Sequence, residues 1–184
     1  MRDALATILA CAEADSPRLS NDEIACWHAP ERESLQQHRI LVRAGGPTFV
    51  TCPGCDEGHG ATVLMNTNEE GSVERYVMCP EAGRTRLNEH DLCQWLIDLD
   101  QFGRYLRDIL ELKGAFRVVV PQRLWRLGGI LWEGVERAVH FAVGFGRPDA
   151  MSVMSALGPG GSAVVFVPAT VPPRSHWPGL PPAV

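Results

Sequence analysis

Cys52-Pro53-Gly54-Cys55 and Cys79-Pro80 constrain this chain more than any other feature. Two cysteines separated by two residues can turn both sulfurs toward one ion, and Cys79 follows after a stretch patterned as a hairpin. Thr62–Asn66 and Ser72–Met78 alternate as strands, and Thr67-Asn68-Glu69-Glu70-Gly71 between them has turn chemistry. A hairpin that carries thiols at its flanks predicts a small unit folded around a metal ion rather than around a large apolar core.

Two such turns at strand ends resemble the zinc-ribbon fold group, in which each turn supplies Cys-x-x-Cys and zinc is held tetrahedrally. The second turn departs from that pattern, because Ala82 stands where its second cysteine would be. Three residues could supply the fourth ligand. His59 extends the first turn to Cys-x-x-Cys-x-x-x-His, with Gly58 and Gly60 beside it to fold the loop back, while His90 and Cys93 lie further along. The predicted ligand set is Cys52, Cys55, His59 and Cys79 around zinc. A catalytic zinc with an open position would need a base, for which Glu57 is the nearest carboxylate. Thioredoxin-type redox chemistry is disfavoured because Cys52 does not lead into a helix of a βαβ unit.

Before the first cysteine, Ala4–Ala14 places Leu5, Ile8, Leu9 and Ala12 on one helical face, and Ser20-x-x-Glu23 reads as a capping box for a second helix. Glu31–Ala44 is expected as a third helix, stopped at Gly45-Gly46-Pro47. Three short helices and a strand at Thr48–Cys52 resemble a winged-helix or helix-turn-helix unit in outline, which implies DNA docking by the helical part. Leu87–Leu99 carries Leu92, Trp95, Leu96 and Leu99 at helical steps and predicts a helix. Tyr105–Leu112 predicts another, with Asp100 to Phe102 bending the path between them.

Strands are then expected at Phe116–Val120, Leu124–Trp132 and Arg137–Phe145, a helix at Pro148–Leu157 closed by Gly158-Pro159-Gly160-Gly161, and a strand at Ala163–Val167. The predicted fold class is α+β: a helical, winged-helix-like unit with a zinc-ribbon-like hairpin (48–83) within residues 1–99, then an αβββαβ-like domain over 100–168. Residues 169–184 hold five prolines and read as a tail or linker. The αβββαβ order resembles the restriction-endonuclease-like core, which would place metal-dependent cleavage near Glu133, Glu136 and His140. The acid-x-Lys of that family's third strand is missing.

Charge divides the chain. The whole is −5 at pH 7, but residues 52–100 set 3 Arg against 10 acids, whereas residues 101–184 set 9 basic residues against 5 acids. A strongly basic coat is excluded, and a local basic face is not. Arg123, Trp125, Arg126 and Arg137 are the candidate nucleic-acid contacts, guanidinium to phosphate and indole to base. The competing reading assigns Arg123, Trp125 and Leu127 to one side of a strand and Leu124, Arg126 and Gly128 to the other, as ordinary packing. No run of about 18 apolar residues predicts a membrane span, the N-terminus lacks a secretory pattern, and Cys-x-x-Cys suits a reducing compartment, so a cytoplasmic location is expected. The functional expectation is a non-enzymatic, zinc-stabilised binding module, either a nucleic-acid-associated regulator or a subunit of a complex. The alternatives are a metal-dependent nuclease or hydrolase, and a protein-only adaptor recruiting a basic partner through the acidic ribbon.

Overall fold

The computed structural model describes residues 3–14, 17–69, 71–157, 163–168, 171–173 and 177. It is a mixed α+β protein with five helices and twelve strands among those residues. Helix α1 (Ala4–Ala12) opens where the Asp3 side chain accepts hydrogen bonds from the backbone N–H groups of Leu5 and Ala6, and it buries Ala4, Ile8 and Ala12. Strand β1 (Arg18–Ser20) ends in the residue that caps α2 (Asn21–Ala25). The predicted capping box is formed there: Ser20 N–H donates to Glu23 Oε2 at 2.7 Å, and Glu23 N–H donates to Ser20 Oγ at 3.2 Å. Helix α3 (Ala29–Gln37) follows, with Pro30 in its first turn and no buried residue.

The third helix is shorter than its pattern predicts. It stops at Gln37, Arg39 takes φ 56°, and Ile40 turns inward to complete burial. Leu41–Arg43 is strand β2 rather than helix. The second correction lies at Leu87–Leu99, whose helical spacing is misleading. Asn88 Oδ1 accepts from the N–H groups of His90 and Asp91, and Asn88 N–H donates to Asp91 Oδ2, which locks a turn. Gln94–Ile97 then runs as strand β8, antiparallel to both β1 and β2, so that the sheet order is β1–β8–β2. Asp98 caps α4 (Leu99–Ile109), so one helix occupies the stretch where a bend at Asp100 to Phe102 and a helix from Tyr105 are expected.

Everything between β2 and β8 is an insertion with its own small core. Strands β3 (Phe49–Thr51) and β4 (Gly60–Thr62) form one antiparallel hairpin. Strands β5 (Leu64–Thr67), β6 (Val73–Cys79) and β7 (Gly83–Arg86) form a three-stranded antiparallel sheet. Val50, Cys52, Ala61, Val77, Cys79 and Leu87 are its buried residues. That is little apolar volume for five strands.

After α4 come β9 (Arg117–Val120), β10 (Leu124–Trp132), β11 (Val135–Ala142), α5 (Ala150–Ala156) and β12 (Ala163–Phe166), the element order the sequence predicts. The sheet order is β12–β11–β10–β9, with β11 and β12 parallel and the other pairs antiparallel. Each face of this sheet carries an apolar core. Trp125, Leu127, Val139 and Phe141 join Phe102 of α4, Ile8 of α1 and Ile40 in one core, whereas Leu124, Ala142 and Val165 join Val153 and Met154 of α5. The α4–β9 connection crosses β10 closely: Lys113 and Gly129 exchange backbone hydrogen bonds, and a Cβ at Gly128 would lie 2.6 Å from the Lys113 carbonyl oxygen. Gly128 is therefore required by close approach. Gly158-Pro159-Gly160-Gly161 and most of the proline-rich stretch 169–184 lie outside the described residues. Trp177, within that stretch, packs edge-on against Phe145 at 5.6 Å between ring centroids. Among the described residues no helix is long and apolar enough to cross a membrane.

Candidate metal centre

Two hairpin ends meet in the insertion. The loop of β3–β4 carries Cys52, Cys55 and His59, and its neck is closed by Cys52 N–H donating to the His59 carbonyl at 2.8 Å. Cys79 is the last residue of β6, where the chain turns into β7. The two turns are built alike around sulfur. Gly54 N–H donates to Cys52 Sγ at 3.4 Å, and Ala82 N–H donates to Cys79 Sγ at 3.3 Å. Gly83 takes φ 71° to complete the second turn. Gly54 sits against Thr85 of β7, where a Cβ would come within 2.5 Å of the threonine hydroxyl, so the two turns are in direct contact.

The potential ligand atoms of Cys52, Cys55, His59 and Cys79 all lie within 4.8 Å of one another. Tetrahedral zinc with bonds of about 2.0–2.3 Å sets its ligand atoms roughly 3.5–3.8 Å apart. The cluster is thus close to the size such an ion needs. His59 presents Nδ1, 3.1 Å from Cys55 Sγ, while its Nε2 is buried without a hydrogen-bond partner. Cys52 and Cys79 are buried, Cys55 and His59 half-buried, and all six cysteines of the chain are free thiols. Burial pushes the Cys55 thiol up, and the neighbouring Cys79 sulfur adds to this. The Ala82 N–H, as the largest influence, pulls Cys79 down. Three sulfurs this close cannot all ionise without a cation among them. Among the described residues, this is the one group of three or more His, Cys, Asp or Glu side chains placed to hold a metal ion.

The other candidate ligands are elsewhere. His90 Nε2 lies 3.6 Å from Asp22 Oδ1, and Cys93 is half-buried outside the cluster. Glu133, Glu136 and His140 do not converge. Glu133 occupies the β10–β11 hairpin tip at φ 52°, Glu136 is exposed on β11, and His140 is buried.

The candidate nucleic-acid residues separate into two groups. Trp125 is fully buried, donates its indole N–H to Asp100 Oδ1 at 2.6 Å and stacks on Phe141, so its ring is not available to a base. Arg123 is buried as well: Nε donates to the Val143 carbonyl, Nη2 to the Gly144 carbonyl and Nη1 to Asp149 Oδ2. It ties the β9–β10 turn to the β11–α5 connection, and its hydrogen bond holds the Asp149 carboxyl below the ordinary range. Trp125 lies on β10, an inner strand of the sheet, and Arg123 lies in the turn just before it. Arg126 is exposed, and Arg137 is half-buried. The register sets Arg117 of β9 directly opposite Arg126, a neighbour that nothing in the linear spacing reveals. No protein-family model, curated protein or solved structure matches this chain.

Proposed function

We propose that the chain is a non-enzymatic binding module of a nucleic-acid-associated complex, stabilised by one zinc ion at Cys52, Cys55, His59 and Cys79. The observation that carries this reading is the placement of the Cys₃His cluster: it lies in an insertion between β2 and β8, neighbouring strands of the N-terminal sheet. Helix α1, strand β1, helices α2 and α3, and strands β2 and β8 in the order β1–β8–β2 support a winged-helix-like unit, with a zinc-ribbon-like insertion in the position of its wing. Three thiolates and an imidazole are the donor set of structural zinc sites, and four protein ligands leave no open position for a reacting water. Bound zinc would stabilise the ribbon, whose apolar core is small.

Helix α3 exposes Glu31 and Glu33, so phosphate contact is assigned to other surfaces. The acidic ribbon favours a second reading, an adaptor that recruits a basic protein partner. Oligonucleotide titration at about 50 and 200 mM salt separates the two, because phosphate contacts weaken steeply with salt. Salt-sensitive binding of duplex or single-stranded DNA or RNA is expected. Absence of binding at the lower salt concentration would leave the adaptor reading.

A further inference from the structure

Arg117, Arg126 and His140 form a row across three adjacent strands, β9, β10 and β11. Arg126 is directly opposite Arg117 on one side and His140 on the other. Directly paired residues of antiparallel strands project from the same face, with Cβ atoms about 5 Å apart. Both arginines are exposed, and neither side chain makes an ion pair or hydrogen bond among the described residues. Like charges placed directly opposite each other destabilise a sheet pair, so this arrangement costs stability in the unliganded protein. His140 beside them is 8% exposed, and its buried Nδ1 has no hydrogen-bond partner among the described residues.

The geometry points to a phosphate-binding surface in this row, with Arg117 and Arg126 contacting the phosphodiester backbone of a nucleic acid. The inference rests on the nucleic-acid reading above and deepens it by naming the surface. Two guanidiniums present planar, forked donors to phosphate oxygens, and an anion between them removes their mutual repulsion. His140 stays neutral near pH 7, because burial first and Arg126 second lower its affinity for a proton. It therefore adds no third charge to the row. The row faces away from α4, since Trp125, the neighbour of Arg126 on β10, packs toward Phe102 on the other face.

The test is an anisotropy titration of labelled single-stranded and duplex oligonucleotides with the full chain, comparing wild type, Arg117→Gln/Arg126→Gln and Arg104→Gln. Arg104 lies on α4, on the far side of the sheet, over the Phe116 ring. The double variant should bind at least about tenfold more weakly, and its slope of log affinity against log salt should be shallower by roughly 1.5 to 2, the loss of two phosphate contacts. Its thermal stability without nucleic acid should be unchanged or higher. Equal binding by wild type and the double variant, or an equal loss in Arg104→Gln, overturns the assignment of this row while leaving the nucleic-acid reading in place. Failure of wild type to bind any oligonucleotide overturns both.

Discussion

His59 stands with Cys52, Cys55 and Cys79, where the turn after β6 offers Ala82 rather than a further cysteine. The Ala82 N–H reaches Cys79 Sγ, as the Gly54 N–H reaches Cys52 Sγ, but Ala82 offers no ligand atom, and the imidazole comes from the neck of the first hairpin. This much is visible in the sequence, because Cys-x-x-Cys-x-x-x-His is local and its geometry follows from one short loop. The burial of Arg123 and Trp125 is not, because strand alternation divides side chains between two faces without saying which packed elements meet them. His140 yields a prediction at this scale. Burial, reinforced by Arg126, lowers it from its ordinary value of 6.5 to about 4. Between those values the unfolded chain binds a proton that the folded chain does not, so stability is full above about pH 6.5 and falls as the pH drops toward 4. Denaturant titrations at pH 7.5 and 5 should show a loss on the order of 2 kcal/mol that His140→Gln abolishes. An equal pH dependence in the variant would place the acid sensitivity in other groups.

At the scale of elements, the two departures from the sequence reading have one cause. Leu41–Arg43 and Gln94–Ile97 each carry spacings compatible with a helix, but both are strands because they pair with each other, and β8 also pairs with β1, about 75 residues earlier. Local periodicity contains no information about such distant partners. Elements whose signals are local fare better: the Ser20–Glu23 capping box, the β5–β6 hairpin and the order from α4 to β12 all follow the pattern. Gly128 tests the packing of these elements. Gly128→Ala sets a methyl against the Lys113 carbonyl oxygen, a backbone atom that cannot swing aside. The substitution should destabilise the protein by about 1–3 kcal/mol in urea denaturation, the usual cost of overpacking. An unchanged midpoint would mean that the α4–β9 connection does not approach β10 as described.

At the scale of the whole molecule, the N-terminal helices and the C-terminal sheet share an apolar core, in which Ile8, Ile40, Phe102, Trp125 and Phe141 all take part, whereas the insertion between β2 and β8 has only a small one of its own. The insertion between β2 and β8 has the smallest apolar core of the fold, and it carries the Cys/His cluster that could hold a metal ion. Charge follows the same division. The acid excess lies chiefly in residues 52–100, while the exposed Arg117 and Arg126 lie on the sheet beyond them. The sequence shows this asymmetry, but only the strand register turns it into a surface.

The measurement that bears most directly on the metal centre is the zinc content of the purified protein by elemental analysis, taken together with its stability before and after chelation. One zinc per chain is expected, lost in Cys52→Ala and Cys79→Ala, with chelation destabilising the ribbon and sparing the larger core. Protein without stoichiometric zinc, whose stability is unchanged by either cysteine substitution, would contradict the account.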